Sequence, residues 1–205
     1  MSEVISTYKT IKEPSEGTYK EKGSKFFAFA YPVSTEEEIK EIQTSLRKEY
    51  YDARHHVFAW RLGADKKRYR ASDDGEPANS SGPPVLGQIQ SYDLTNILIV
   101  VIRYFGGTKL GIPGLINAYR TAAKDAIENA EIVTRTVYKV YRLSFDYALM
   151  NTVMKFLKDK NIEQFNQNFD LSCTLDIKVN IAEDESIISE LSKIRELKTE
   201  YLKTI

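Results

Sequence analysis

Glycine and proline are absent from Thr134 to Ile205, whereas the residues before Thr134 are punctuated by both. These two residue types are the strongest local breakers of regular structure, so a chain that changes texture in this way reads as two bodies with different loops. We place the boundary there, with residues 1–133 as one domain and residues 134–205 as a second. A length of 205 residues admits this, since single domains typically run to roughly 100 to 150 residues. No internal repeat relates the halves.

The glycine-free part reads as strand (Val137–Phe145), helix (Ala148–Lys158), two strands (Ile162–Phe169 and Leu171–Ile181), helix (Asp184–Arg195) and strand (Lys198–Thr204). That βαββαβ order is the order of a ferredoxin-like sandwich, so the expected class is α+β. The first part opens with a strand at Lys25–Val33. A helix follows, with Ser34 and Glu37 at capping-box spacing and Ile39, Ile42, Leu46 and Tyr50 on one face. His55–Leu62 and Arg68–Ser72 form a predicted hairpin, a short helix covers Val85–Ser91, and Ile97–Arg103 is a buried strand. A final helix runs from about Pro113 to Ala130, with proline in its first turn.

Composition narrows the function classes. With 29 basic and 29 acidic residues the formal net charge is zero, which removes the whole-protein field that draws a chain onto nucleic acid or anionic lipid. A polyanion site must therefore be local. The longest apolar run, Ile97–Ile102, is far short of the roughly 20 residues that cross a bilayer as a helix, so no membrane partner is expected. One cysteine, Cys173, cannot form an internal disulfide, and MSEVISTYKT has no signal-peptide pattern. The expected compartment is the cytoplasm.

Chemistry concentrates in polar segments of the first part. The stretch Asp73–Pro84 (DDGEPANSSGPP) has the composition of a shaped loop. The run Tyr104-Phe105-Gly106-Gly107-Thr108-Lys109-Leu110-Gly111 links a strand to a helix, and such glycine turns let main-chain amides approach an anion. Gly106 and Gly111 have P-loop spacing, but Ile112 and Pro113 stand where a Walker site needs Lys followed by Ser or Thr. Tight turning between buried elements is the alternative reading of the same glycines. Arg47–Arg70 holds eight basic residues against three acids, and Arg103–Arg120 holds three against none. The tip Lys66–Arg68 reads best as solvated charge.

His55 and His56 are the only histidines, and adjacent strand positions point to opposite faces. One belongs with Phe58 and Trp60 as a hydrogen-bonded core residue; the other reaches the polar side. A histidine paired with Asp73 or Asp74 is the one acid/base arrangement on offer. Neither zinc-site spacing nor a serine elbow is present, so no metal and no cofactor are expected. Cys173 lies among Leu171, Leu175 and Ile177 and reads as core.

The segments Arg54-His55-His56, Ser72-Asp73-Asp74-Gly75-Glu76-Pro77 and Arg103 through Gly111 together resemble the IMPACT family, in its bacterial branch. The resemblance covers essentially the whole chain. It implies a first domain like the second domain of a small-subunit ribosomal protein, and a second like the C-terminal domain of elongation factor G. It also implies a translation-linked regulator contacting RNA, the ribosome or a translation-factor protein. Eukaryotic members of the family restrain, through an extra RWD domain, the stress kinase acting on initiation factor two; no such domain is expected here. Asn79-Ser80-Ser81-Gly82 stands where the family usually has Gly-Thr-Ala-Gly. Pro113-Gly114-Leu115, then Asn117, replaces Gly-Gly-Leu and a basic residue.

The leading expectation is a non-enzymatic binding module. Arg54, His55, His56, Ser72, Asp73, Asp74, Gly75, Glu76, Arg103, Tyr104, Gly106, Gly107, Lys109 and Gly111 form one concave surface. In it Arg54, Arg103 and Lys109 contact phosphate, Tyr104 or Phe105 stacks a base, and Asp73 and Glu76 organise the basic residues. The alternative is an enzyme acting on a small phosphorylated or nucleotide substrate through His and Asp. The oligomeric state is not legible.

Overall fold

The computed structural model describes residues 5–170 and 172–205, a mixed α+β chain with five α-helices. It divides into two compact units: Tyr8–Arg135, and Thr136–Ile205 together with the residues before Tyr8. No helix is long and apolar enough to cross a membrane, among the described residues.

In the first unit, β1 (Thr7–Ile11) pairs with β7 (Ile132–Thr136) as a two-stranded ribbon, at whose ends the chain passes between units. The main sheet has five strands: β2 (Ser15–Glu21), β3 (Ser24–Pro32), β4 (His55–Leu62), β5 (Arg68–Ser72) and β6 (Ile97–Tyr104). Their order is β2-β3-β6-β4-β5, with every neighbour antiparallel. Strand β6 is central and apolar on both sides. Ile97, Ile99 and Val101 face the helices α2 (Gly82–Ser91) and α3 (Gly111–Glu128), while Leu98, Val100 and Ile102 face α1 (Glu36–Glu49). Burial on both faces is why its sequence is a continuous apolar run rather than an alternation.

Helix α1 begins one residue later than the sequence spacing suggested. Thr35 is the cap: its hydroxyl accepts from the Glu38 amide at 3.2 Å, and Glu38 accepts in return from Ser34 and Thr35. Ser34/Glu37 and Thr35/Glu38 share the same spacing, and the second pair is the one the fold uses. Helix α3 starts at Gly111, two residues before the expected Pro113, and ends at Glu128. Helix α2 starts at Gly82, earlier than Val85, because Asp73 supplies its amides with an acceptor. Strands β1, β2 and β7 were not anticipated: each is short and largely polar at exposed positions.

The second unit holds β8 (Tyr138–Asp146), α4 (Met150–Asp159), β9 (Glu163–Phe169), β10 (Ser172–Asn180), α5 (Asp184–Leu191) and β11 (Lys198–Thr204). Its sheet order is β11-β8-β10-β9, all antiparallel, the arrangement of two interleaved βαβ units. Alternating residues Tyr141, Leu143, Phe145, Cys173, Leu175 and Ile177 meet Val153, Leu157 and Ile187 in one core. A 3-10 turn at Tyr147–Leu149 precedes α4, and α5 stops at Leu191 rather than Arg195. Leu171, placed in a strand by its sequence, lies outside the described residues.

Candidate functional site

The register of the five-stranded sheet sets Phe26 of β3, Arg103 of β6 and His55 of β4 side by side near one end. Arg103 is only 7% exposed. Its Nη1 donates to Oε1 of Glu76 at 2.6 Å, and the Tyr119 hydroxyl of α3 donates to that same oxygen at 2.7 Å. The Phe26 and Phe105 rings each lie 5.6 Å from its guanidinium carbon, and its Nε is buried with no partner among the described residues. Burial, then the Glu76 charge, pushes the Tyr119 phenol far above its ordinary range, so it is a fixed donor. Arg103 is therefore committed inside the unit and does not present itself to a phosphate.

The loop after β5 is tied down by its two aspartates. Asp73 accepts from the amides of Ser81 (3.0 Å), Gly82 (2.8 Å) and Asn79 (2.8 Å) and from the Ser81 hydroxyl (2.9 Å). No basic side chain pairs with it within 4.0 Å among the described residues, so its role is to hold the start of α2 rather than to organise arginines. Burial disfavours its charge, but these hydrogen bonds prevail and keep the carboxyl below its ordinary value. Asp74 accepts from Arg47 Nη2 at 2.8 Å and from the His56 amide at 2.6 Å, and it too is held low against the cost of burial. Asp74 and Gly75 are both left-handed, with φ of 43° and 85°. That reversal brings the Asp74 carbonyl within 2.8 Å of His55 Nδ1. A carbonyl only accepts, so Nδ1 carries the hydrogen. Ser72, paired with Phe58, accepts on its hydroxyl oxygen from the Asp74 amide at 3.4 Å.

No carboxylate reaches either imidazole by a hydrogen bond, among the described residues. His56 lies on the α1 side with Phe58 and Trp60, 5% exposed. It is not the well-bonded core histidine expected: neither ring nitrogen has a partner of good geometry, the Tyr50 backbone offering at most a weak one. Burial, then Arg47, lowers its pKa, which keeps it neutral at pH 7.

The glycine turn is built differently. Gly106 donates to Ser24 Oγ at 3.1 Å, and a side chain there would lie 1.9 Å from the Gly23 carbonyl carbon. Only glycine lets the tip of the β2–β3 hairpin seat on the turn. The hairpin tip carries Lys20, Lys22 and Lys25, and the turn carries Lys109; all four are exposed. None has a carboxylate within 4.0 Å, among the described residues. Phe105, in the same turn as Lys109, is 60% exposed, and Gly107, Gly111 and Arg54 are exposed as well. Tyr104 donates to Asp52 at 2.7 Å, which pushes its phenol up to about 12. The hairpin lysines escaped sequence reasoning because β2 was not anticipated; the signal was Lys22-Gly23, a two-residue turn with φ of 46° and 79°.

The Impact N-terminal domain family matches residues 22–127, from this hairpin turn to the end of α3. The chain belongs to the IMPACT family. The IMPACT family member YvyE of Bacillus subtilis is 31% identical over 76% of this chain and 72% of its own length. The IMPACT family member YigZ of Escherichia coli is 30% identical over 84% of this chain and 87% of its own. The Protein IMPACT homolog of Saccharomyces cerevisiae is 34% identical over 54% of this chain and 43% of its own. A solved structure described as a hypothetical protein superimposes with a TM-score of 0.75 at 26% identity, covering 98% of this chain and 99% of that one. The matched IMPACT domain thus contains the loop, the turn, Lys22, Lys25 and Lys109, and leaves out Lys20 and the second unit.

Proposed function

We propose that this IMPACT protein is a non-enzymatic, cytoplasmic, translation-linked regulator whose first unit contacts phosphate-bearing RNA, on the ribosome or free. The observation that carries the reading is the seating of the β2–β3 hairpin on the glycine turn. It gathers Lys20, Lys22, Lys25 and Lys109 without a single acidic partner among the described residues, in a chain whose net charge is zero. Unpaired ammonium groups beside exposed aromatic surface are what a phosphate backbone with accessible bases requires. The paired Arg103, by contrast, is part of the scaffold. The β11-β8-β10-β9 order supports reading the second unit as ferredoxin-like and akin to the C-terminal domain of elongation factor G. The first unit we read as akin to the second domain of a small-subunit ribosomal protein, with the domain boundary at residues 133/134. The acid/base alternative loses ground because Asp73 and Asp74 spend their oxygens on amides and Arg47. Sedimentation with purified ribosomes, and RNA binding followed across a salt series, test the proposal. Binding should weaken as salt rises and in Lys109→Glu; salt-independent binding, or none to either target, sinks it.

A further inference from the structure

We infer that the half-open flank of the five-stranded sheet, formed by Thr18 and Lys20 of β2, Lys25 and Phe27 of β3 and Tyr104 of β6, is a platform for single-stranded nucleic acid. The inference rests on the RNA-contacting reading above and assigns it a surface and a strand form. Helix α1 covers the sheet on this side through Ile39 and Leu46, which meet Phe29, Trp60, Leu98 and Val100. Thr18 and Lys20, at the β2 edge, remain exposed, as does Lys25, while Phe27 and Tyr104 are half-buried. The register places Lys20 opposite Lys25, Lys25 opposite Tyr104 and Thr18 opposite Phe27, so all five share one face. The Phe27 and Tyr104 rings meet edge to face at 6.1 Å.

Two lysines set directly across a ladder repel one another, and a hairpin gains nothing from that arrangement by itself. Protection of an edge strand is one structural use for such charges. Here β2 is already guarded by α3: Asp125 accepts from the Thr18 amide at 2.7 Å, and Asn129 donates to the Glu16 carbonyl at 2.9 Å. The opposed ammonium groups are instead matched by an anion lying between them. Beside them, two aromatic faces suit an unpaired base, which a duplex keeps within its stack. The ligand is thus a single strand, with one phosphate near Lys20 and Lys25 and a base toward Tyr104.

The test is fluorescence anisotropy with a labelled oligouridylate of about 12 nucleotides, within the usual site sizes, and an RNA duplex of the same length. The single strand should bind at least about tenfold more tightly than the duplex, and Lys20→Glu/Lys25→Glu and Tyr104→Ala should each lose about tenfold. Tyr104→Phe should restore most of the binding lost in Tyr104→Ala. Lys25→Glu alone should raise the melting temperature, because it turns a like-charge pair into an opposite one, while weakening binding. A merely structural lysine would not trade stability for affinity in this way. Equal binding of duplex and single strand, or unchanged binding by Lys20→Glu/Lys25→Glu, overturns the platform and leaves the broader RNA reading standing. If wild type binds neither oligonucleotide nor ribosomes, both fall together.

Discussion

Glu76 and Arg103 form an ion pair at 2.6 Å in which the side chains are only 4% and 8% exposed, and the Tyr119 hydroxyl completes it. The pair joins the loop after β5 to the central strand and to α3. A charge left alone in such a place keeps the desolvation cost and loses the compensating attraction. Glu76→Gln should therefore lower unfolding free energy by about 3 to 5 kcal/mol, the usual cost of breaking a buried pair from one side. Urea denaturation at pH 7 measures it, and Arg103→Met/Glu76→Leu should recover a large part of the loss.

Asp73 fixes the loop from its other end. Asp73→Ala removes the acceptor for the Ser81 and Gly82 amides at the start of α2 and should cost about 1 to 2 kcal/mol, as loss of a helix cap does. Amide hydrogen exchange should rise first between Asn79 and Val85, while β6 remains protected.

His56 gives stability a pH dependence of known sign. Its folded pKa lies below the ordinary 6.5 because burial disfavours the cation. Above that value both folded and unfolded forms are neutral, and the full stability is present. As pH falls from about 6.5 toward the lowered folded value, the unfolded chain takes up a proton that the fold refuses, so stability drops. Asp73 and Asp74 add a second loss at lower pH: their folded pKa values are depressed below 3.8, so their contribution, present above that value, disappears as pH falls through the folded ones. Melting temperatures of wild type and His56→Phe, followed from about pH 7.5 down to about pH 2.5 so that the scan passes both the histidine and the carboxylate values, separate the two effects. The upper slope should vanish in the variant and the acid limb should remain.

How much of this could be read from the sequence differs by element. Strand β6 and the turn after it were legible because a doubly buried strand has no polar alternation and the glycines mark the turn. Strand β11 is legible at Lys198–Thr204 although every residue in it is exposed, and it completes the βαββαβ order. Strand β2 was missed because its inward residues Ser15, Gly17 and Tyr19 contribute little apolar signal. With it went the Lys20–Lys25 pair, which exists only once a register is known. The residues around Arg103 were named, but local sequence does not report that an arginine ends between two phenylalanines and a glutamate. Burial of a charge is a tertiary property.

The account stands or falls on whether the free lysines, rather than the buried arginine, meet the polyanion. The direct measurement is the slope of log binding constant against log salt for single-stranded RNA, compared between wild type and Lys25→Glu/Lys109→Glu. Loss of two phosphate contacts should reduce the slope by about 1.4, at about 0.7 per contact for single strands. Identical slopes and affinities in the two proteins would contradict it.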